Sequence, residues 1–305
     1  MKLIFAGTPE IAAQALHKLN SVHEIALVIT REDAPVGRKR TITPSPVAQV
    51  ASDLGLRTVK CNRLTPEVIQ EIHQAQAELG IVIAFGALIP KSALNLLPWW
   101  NLHFSLLPAW RGAAPLQFSM MHLGNGAGIS LFELEEGLDT GPIIASSSMN
   151  IDSEKTYGEH LALFTEKGIE LILESLDEKP KAYEQQGEVS LAPKLSRELA
   201  RLDLNLAADL IAAKVMALNP EPVAWLNLAG EPFRILRAKS LGSTNWAELD
   251  GIAPKPGRIS SGSGRILLEC AGGTRVELIA VQPAGKKEMS AGDWFRGLNK
   301  EVTLD

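Results

Sequence analysis

From Lys2 to His122, short apolar runs alternate with helical patterns, and few folds accommodate that rhythm. Lys2 to Ala6, Glu24 to Ile29, Ile81 to Phe85 and Leu102 to Ser105 read as strands. Between and after them, Ile11 to Leu19, Pro46 to Leu54, Pro66 to Ala77 and Ala113 to His122 read as helices, several opened by Pro or by a Ser/Thr cap. The expected fold class is α/β, a Rossmann-like, mostly parallel sheet with flanking helices, and such a sheet places ligands at the carboxyl ends of its strands.

A strand-like stretch, Ile143 to Ile151, and a long helix, Glu154 to Leu176, should close this first domain. From Asp177 to Ser196 the apolar periodicity is lost and Lys, Glu, Gln and Pro accumulate, as in a linker. The expected division is therefore 1–180, a linker over 181–200, and a second domain over 201–305. That second domain opens with a helix, Ala207 to Leu218, stopped by Asn219 and Pro220. Alternating runs at Val223 to Leu228, Pro232 to Lys239, Arg265 to Ala271 and Arg275 to Val281, separated by Gly-rich turns, predict a small antiparallel β-barrel, OB-like.

A chain of 305 residues, 46% hydrophobic and 21% charged, can supply two cores. Cys61 and Cys270 belong to no C-x-x-C or Cys/His cluster, so neither a disulfide framework nor a zinc site is expected. Met1 to Ala6 runs straight into an apolar strand without a leader pattern, and no apolar run approaches the roughly 20 residues of a membrane helix. A soluble, cytoplasmic monomer without a membrane partner is expected. The net charge of -5 speaks against indiscriminate binding to nucleic acid, which would have to be met by local basic clusters.

The most informative stretch runs Asn101-Leu102-His103-Phe104-Ser105-Leu106-Leu107-Pro108-Ala109-Trp110-Arg111-Gly112-Ala113-Ala114-Pro115. On a strand, Asn101 and His103 share a face, with Ser105 continuing the row. Further on, Glu135-Glu136-Gly137-Leu138-Asp139-Thr140-Gly141-Pro142 holds a carboxylate between two glycines, in a loop from which it can reach an imidazole. A lone His near a strand is more often structural than catalytic; the amide partner, the Pro/Gly frame and the Asp loop reverse that prior. His17, His73 and His160 fall in helical patterns, and His23 and His122 flank elements, so all five read as surface or core. The turn Phe5-Ala6-Gly7-Thr8-Pro9 lacks G-x-G-x-x-G, which argues against a nicotinamide cofactor.

This spaced set resembles the 10-formyltetrahydrofolate-dependent formyltransferase family, whose pattern is N-x-H, then S-L-L-P-x-x-R-G, then an Asp in a G-x-D-T-G loop. Phe5 to Pro9, Ala34 to Arg40, Pro44-Ser45-Pro46, Lys194-Leu195-Ser196 and Gln282 to Lys287 extend the likeness over essentially the whole chain. These added segments are similar to the branch that formylates methionyl initiator tRNA for translation initiation. Trp99, Trp100 and Phe104 depart from the usual pattern around the Asn strand.

The resemblance implies a metal-independent transferase with 10-formyltetrahydrofolate as formyl donor and Asn101, His103 and Asp139 as the catalytic set. An amide donor such as Asn101 suits an oxygen that gains negative charge during acyl transfer. His103 can take a proton from the attacking amine or polarise the same oxygen, and Asp139 would orient the imidazole and favour its protonated form. Folate is expected against Phe85, Gly86, Leu88, Ile89, Ser105, Leu106, Leu107, Pro108, Gly137 and Asp139, largely through main chain. The acceptor tRNA is expected at Arg38, Lys39 and Arg40, in a basic loop that follows Arg31, with Lys194, Lys286 and Lys287 extending the contact. The alternative acceptor is an amino sugar nucleotide; a folate- or RNA-binding module without activity is the alternative outside enzymes.

Overall fold

The computed structural model describes residues 1–37, 39–242, 255–298 and 302–305. The chain forms two compact units, one of Met1–Arg111, Gly128–Met149 and Ala162–Leu191, the other of Gly112–Ala127, Asn150–Leu161 and Ala192–Asp305.

The first unit is built on β1 (Lys2–Gly7), β2 (Glu24–Thr30), β5 (Thr58–Lys60), β6 (Leu79–Ile83), β7 (Trp99–His103), β9 (Gly128–Glu133) and β10 (Ile143–Ser148), in the order β10-β9-β7-β6-β1-β2-β5. The five strands from β7 to β5 run parallel, whereas β9 is antiparallel to β7 and β10 to β9. Parallel strands covered on both faces read as continuous apolar runs, and β6 is buried at every residue. Helices α1 (Glu10–Asn20), α2 (Pro46–Asp53), α3 (Pro66–Ala75) and the short α4 (Lys91–Leu94) belong to the same unit. Before α2, the Ser45 hydroxyl accepts from the Ala48 N–H at 3.0 Å and Pro46 takes the first turn, as its sequence anticipates.

Several boundaries differ from the sequence reading for local reasons. Strand β6 ends at Ile83 instead of Phe85 because Ala84 and Gly86 adopt positive φ, 46° and 78°. Strand β7 begins at Trp99 and stops at His103, so Ser105 does not continue the row; its hydroxyl donates to the Ala109 carbonyl at 2.6 Å in the exit loop. The hairpin of β3 (Ala34–Val36) and β4 (Thr41–Thr43), strand β5 and strand β9 carried no recognised signal.

The second unit contains α5 (Pro115–Met121), which starts after Ala113 because the N–H groups of Ala113 and Ala114 both donate to the Ala192 carbonyl. Helix α6 (Tyr157–Glu178) starts three residues later than expected, behind a reciprocal cap: Thr156 N–H donates to Glu159 Oε2 at 2.7 Å and Glu159 N–H to Thr156 Oγ1 at 3.4 Å. Two-residue strands β8 (Arg111–Gly112) and β11 (Leu191–Ala192) and helix α7 (Ala208–Ala217) precede an antiparallel sheet. That sheet orders β12 (Ala224–Leu228), β13 (Glu231–Ser240), β16 (Arg275–Gln282), β15 (Arg265–Glu269) and β14 (Ile259–Gly262), with β17 (Met289–Ser290) beside β16.

The expected barrel is closed by residues 302–305. Ile259 N–H donates to the Val302 carbonyl and Leu304 N–H to Gly257 on one side, while Asn227 and Asp305 exchange two backbone bonds on the other. Leu226, Phe233, Ile235, Leu268 and Val281 fill one core with Ala208, Ile211 and Val215 of α7. Cys61 and Cys270 are both free and buried. Among the described residues, no helix is long and apolar enough to cross a membrane.

Candidate active site

Strand β7 places Asn101 and His103 two residues apart, beside Val82 of β6 for Asn101 and Ser130 of β9 for His103. His103 is 5% exposed, and its Nε2 lies 3.0 Å from the Trp110 carbonyl oxygen. A carbonyl only accepts, so the proton of the neutral ring sits on Nε2 and Nδ1 keeps a lone pair. Nδ1 stands 3.8 Å from Asp139 Oδ2, and the edge-on ring of Phe132, 6.2 Å away between centroids, forms an apolar wall.

Burial lowers the pKa of His103 below its usual 6.5, and the Asp139 charge and the Trp110 carbonyl only partly offset it. The Asp139 charge does favour the protonated form, as expected, but desolvation of an almost fully covered imidazole outweighs one carboxylate beyond hydrogen-bonding distance. At neutral pH the ring is neutral and Nδ1 is basic.

The route of Asp139 to this ring is indirect. Its loop leaves β9 after Glu133, which is paired with Trp100, about 10 Å along the strand from His103. Glu133 N–H donates to the Pro142 carbonyl at 2.9 Å, closing the loop at its base, and the intervening residues bring Asp139 back to His103. The two glycines are steric requirements. A Cβ on Gly141 would stand 1.8 Å from the Glu133 carbonyl oxygen, and one on Gly137 2.0 Å from Thr140 Oγ1. Asp139 itself takes left-handed backbone, φ +50°, and its carbonyl is anchored from outside the loop.

Part of that anchor lies in a segment without any sequence signal, Tyr183 to Ser190, inside the expected linker. Gln185 Nε2 donates to the carbonyls of Asp139 and Gly141, both at 2.8 Å, and its Oε1 accepts from Arg111 Nη2 at 2.6 Å and Nε at 3.2 Å. Ser190 Oγ accepts from the Trp110 N–H at 2.9 Å, and the Ser190 carbonyl accepts from Arg111 N–H at 2.9 Å. One segment therefore fixes both residues that flank the imidazole, and both of these, Trp110 at φ +61° and Asp139, have left-handed backbone. Arg111 belongs to the informative motif, whereas Gln185 and Ser190 carry no signal in the sequence.

The candidate folate residues lie in the loop after β6, in the exit loop of β7 and in the Asp139 loop. Phe85 and Ile89 are buried, with the Phe85 carbonyl accepting from Thr8 Oγ1 at 2.8 Å and the Gly86 carbonyl from Arg31 Nη1 at 2.9 Å. Leu88 is exposed. Ser105 and Leu107 are buried, and Ser130 Oγ joins them by accepting from Leu107 N–H and donating to the Ser105 carbonyl. Leu134, at the root of the Asp139 loop, packs both with the cluster holding Phe85 and Ile89 and with Leu107. Leu106 and Leu107 also line a pocket of about 200 Å³ with Ile143, Ser146 and Tyr183. Pro108 accepts from Ser190 N–H at 3.4 Å, and Gly137 sits in the Asp139 loop.

Of the basic residues, Arg38 lies outside the described residues. Lys39 and Arg40 are exposed in the turn between β3 and β4 of the first unit. Arg31 is committed elsewhere, to the Gly86 carbonyl and to Asn62 Oδ1 at 2.7 Å. Lys194, Lys286 and Lys287 are exposed in the second unit, the last two in the turn between β16 and β17.

An α/β unit presenting Asn and His on interior strand β7 with an Asp loop beside them, followed by an antiparallel barrel, is the arrangement of a two-domain formyl transferase. The family described as "Formyl transferase" matches residues 1–176, and "Formyl transferase, C-terminal domain" matches residues 194–299. The chain is 42% identical over 312 residues to the methionyl-tRNA formyltransferase of Clavibacter michiganensis, covering 99% of each chain. It is 38% identical to that of Streptomyces coelicolor, covering 97% of this chain and 96% of the other. The chain belongs to the methionyl-tRNA formyltransferase family. Two solved structures share the fold: methionyl-tRNA formyltransferase from Clostridium thermocellum (TM-score 0.57, 17% identity, 92% of this chain and 99% of that one) and an N-formyltransferase from Helicobacter canadensis in complex with folinic acid and dTDP-3-aminofucose (TM-score 0.63, 17%, 93% and 99%).

Proposed function

We propose that this protein transfers the formyl group of 10-formyltetrahydrofolate to the free amino group of methionyl initiator tRNA, for translation initiation in the cytoplasm. The observation that carries the chemical part is the orientation of His103: Nε2–H is spent on the Trp110 carbonyl, which leaves a neutral, basic Nδ1 beside Asp139. The donor brings an activated one-carbon unit. Among the described residues the Asn101 amide has no hydrogen-bond partner, so its N–H groups are available to an oxygen that becomes negative as the amine adds.

His103 Nδ1 then accepts the proton released by the attacking amine, Asp139 stabilises the imidazolium so formed, and the imidazolium returns that proton to the folate nitrogen that leaves as its bond to the formyl carbon breaks. The step needs no covalent bond to the protein. In this reading folate lies against Phe85, Gly86, Leu88 and Ile89, the Ser105 to Pro108 exit loop and the Gly137 to Asp139 turn. Left-handed backbone at Ala84 and Gly86 and buried apolar neighbours suit a flat ring recognised through main chain. The tRNA is met by Arg38, Lys39 and Arg40 and, in the domain over 201–305 and the linker before it, by Lys286, Lys287 and Lys194. A monomer without a membrane partner completes the reading.

The test is an assay of the purified protein with 10-formyltetrahydrofolate and either charged initiator tRNA or a dTDP-amino sugar. Formyl-methionyl-tRNA is the expected product. Transfer to the sugar nucleotide alone would replace the acceptor, and transfer to neither would refute the enzyme reading.

A further inference from the structure

We propose that Gln185 is a positioning residue that holds the Asp139 carboxylate at His103. The inference rests on the reading of His103 and Asp139 given above. A primary amide offers two N–H donors and one carbonyl acceptor, and at Gln185 each end meets partners of only the matching kind. Arg111 can only donate, so its two contacts fix which end of the amide is oxygen and thereby aim both N–H groups at the Asp139 and Gly141 carbonyls.

Those two carbonyls bracket Thr140, in the half of the loop that carries the carboxylate. The loop base is secured by the Glu133 to Pro142 bond, which fixes where the loop starts and ends but not where its crest lies. Asp139 takes left-handed backbone, φ +50°, which Asp tolerates better than most residues, so where its carboxylate lies depends on what fixes the neighbouring carbonyls. Gln185 fixes those carbonyls from a different stretch of chain, 46 residues away. Among the described residues the charged group facing the His103 ring is Asp139; Phe132 on β9 and the Trp110 carbonyl in the exit loop do not titrate.

The decisive variant is Gln185→Glu, which keeps size and an acceptor for Arg111 but removes both donors to the loop; Gln185→Met repeats the loss without a charge. For both, kcat is expected to fall roughly 100-fold with the KM for tRNA and the unfolding midpoint little changed. The acid limb of kcat should move to lower pH, because a displaced Asp139 no longer raises the His103 pKa. Asp139→Asn serves as the reference. If it abolishes turnover while both Gln185 variants keep wild-type kcat and an unmoved acid limb, the positioning role is overturned and the active-site reading stands. Loss of kcat with an unmoved acid limb also overturns it, since Gln185 would then serve folding alone. Wild-type turnover in Asp139→Asn overturns both.

Discussion

Trp99 and Gly80 are paired across β7 and β6, and the indole occupies the space that any side chain on the glycine would need. A Cβ on Gly80 would stand 2.1 Å from Cε3 of Trp99, which is fully buried and donates its Nε1–H to the Ala93 carbonyl at 3.1 Å. The bulky residue that departs from the family pattern beside the Asn101 strand is thus accommodated by a missing side chain on the neighbouring strand. Gly80→Ala is expected to destabilise the protein by about 1–3 kcal/mol through overpacking, and Trp99→Ala by about 3–5 kcal/mol through the cavity it leaves. Urea unfolding followed by fluorescence and circular dichroism measures both, and a neutral Gly80→Ala would show that the indole has room to move.

The lowered pKa of His103 has consequences for activity. With Nδ1 neutral down to pH values below the usual 6.5, kcat/KM should stay level through neutrality and fall only in more acid buffer. Asp139→Asn removes the attraction that raises this pKa, so its residual activity should lose the acid limb at still lower pH. His103→Gln is expected to cost 10²- to 10⁴-fold in kcat. A pH-rate profile rising through 7 and above would show a ring that is protonated at neutrality.

The same group links stability to pH. Between the usual value of 6.5 and the depressed value of the folded ring, the unfolded chain binds a proton that the folded one does not. Stability contributed by the neutral ring is therefore complete above about pH 6.5 and is lost on acidification until the folded pKa is reached. Urea midpoints at about pH 7.5 and pH 5.5 should differ less in His103→Gln than in the wild type.

Gly141→Ala tests the loop without touching a functional group. Its Cβ would stand 1.8 Å from the backbone oxygen of Glu133, so the loop must move. Displacement of Asp139 by as little as about 1 Å can cost roughly 100-fold in kcat, with a far smaller effect on the unfolding midpoint. Turnover near wild type would mean that the loop shifts without carrying the carboxylate away.

Arg38→Ala, Lys39→Ala and Arg40→Ala should each raise the KM for tRNA and leave folate binding intact. A lost phosphate contact also reduces the slope of log affinity against log salt by about one. Kinetics unchanged at every salt concentration would remove this loop from the acceptor site.

How much of this was legible in the sequence depended on the range of the interactions. The β-α order of the first unit, the Ser45 cap and Pro46 start of α2, and the placement of Asn101 and His103 on one strand follow from periodicity and capping, which act over a few residues. Barrel strands were legible through alternation and Gly turns, but the closing residues 302–305 were not, since their pairing with Asn227 and Gly257 is set by distant chain. Strand β9 escaped because a buried apolar run gives no sign of its direction, and that direction sends the Asp139 loop off toward Trp100. Only the tertiary structure could bring the carboxylate back to His103 and recruit Gln185 to hold it. It also set the balance at the imidazole between desolvation and the Asp139 charge, which the sequence left open, because desolvation depends on the surrounding fold and not on which residue types are near in the chain.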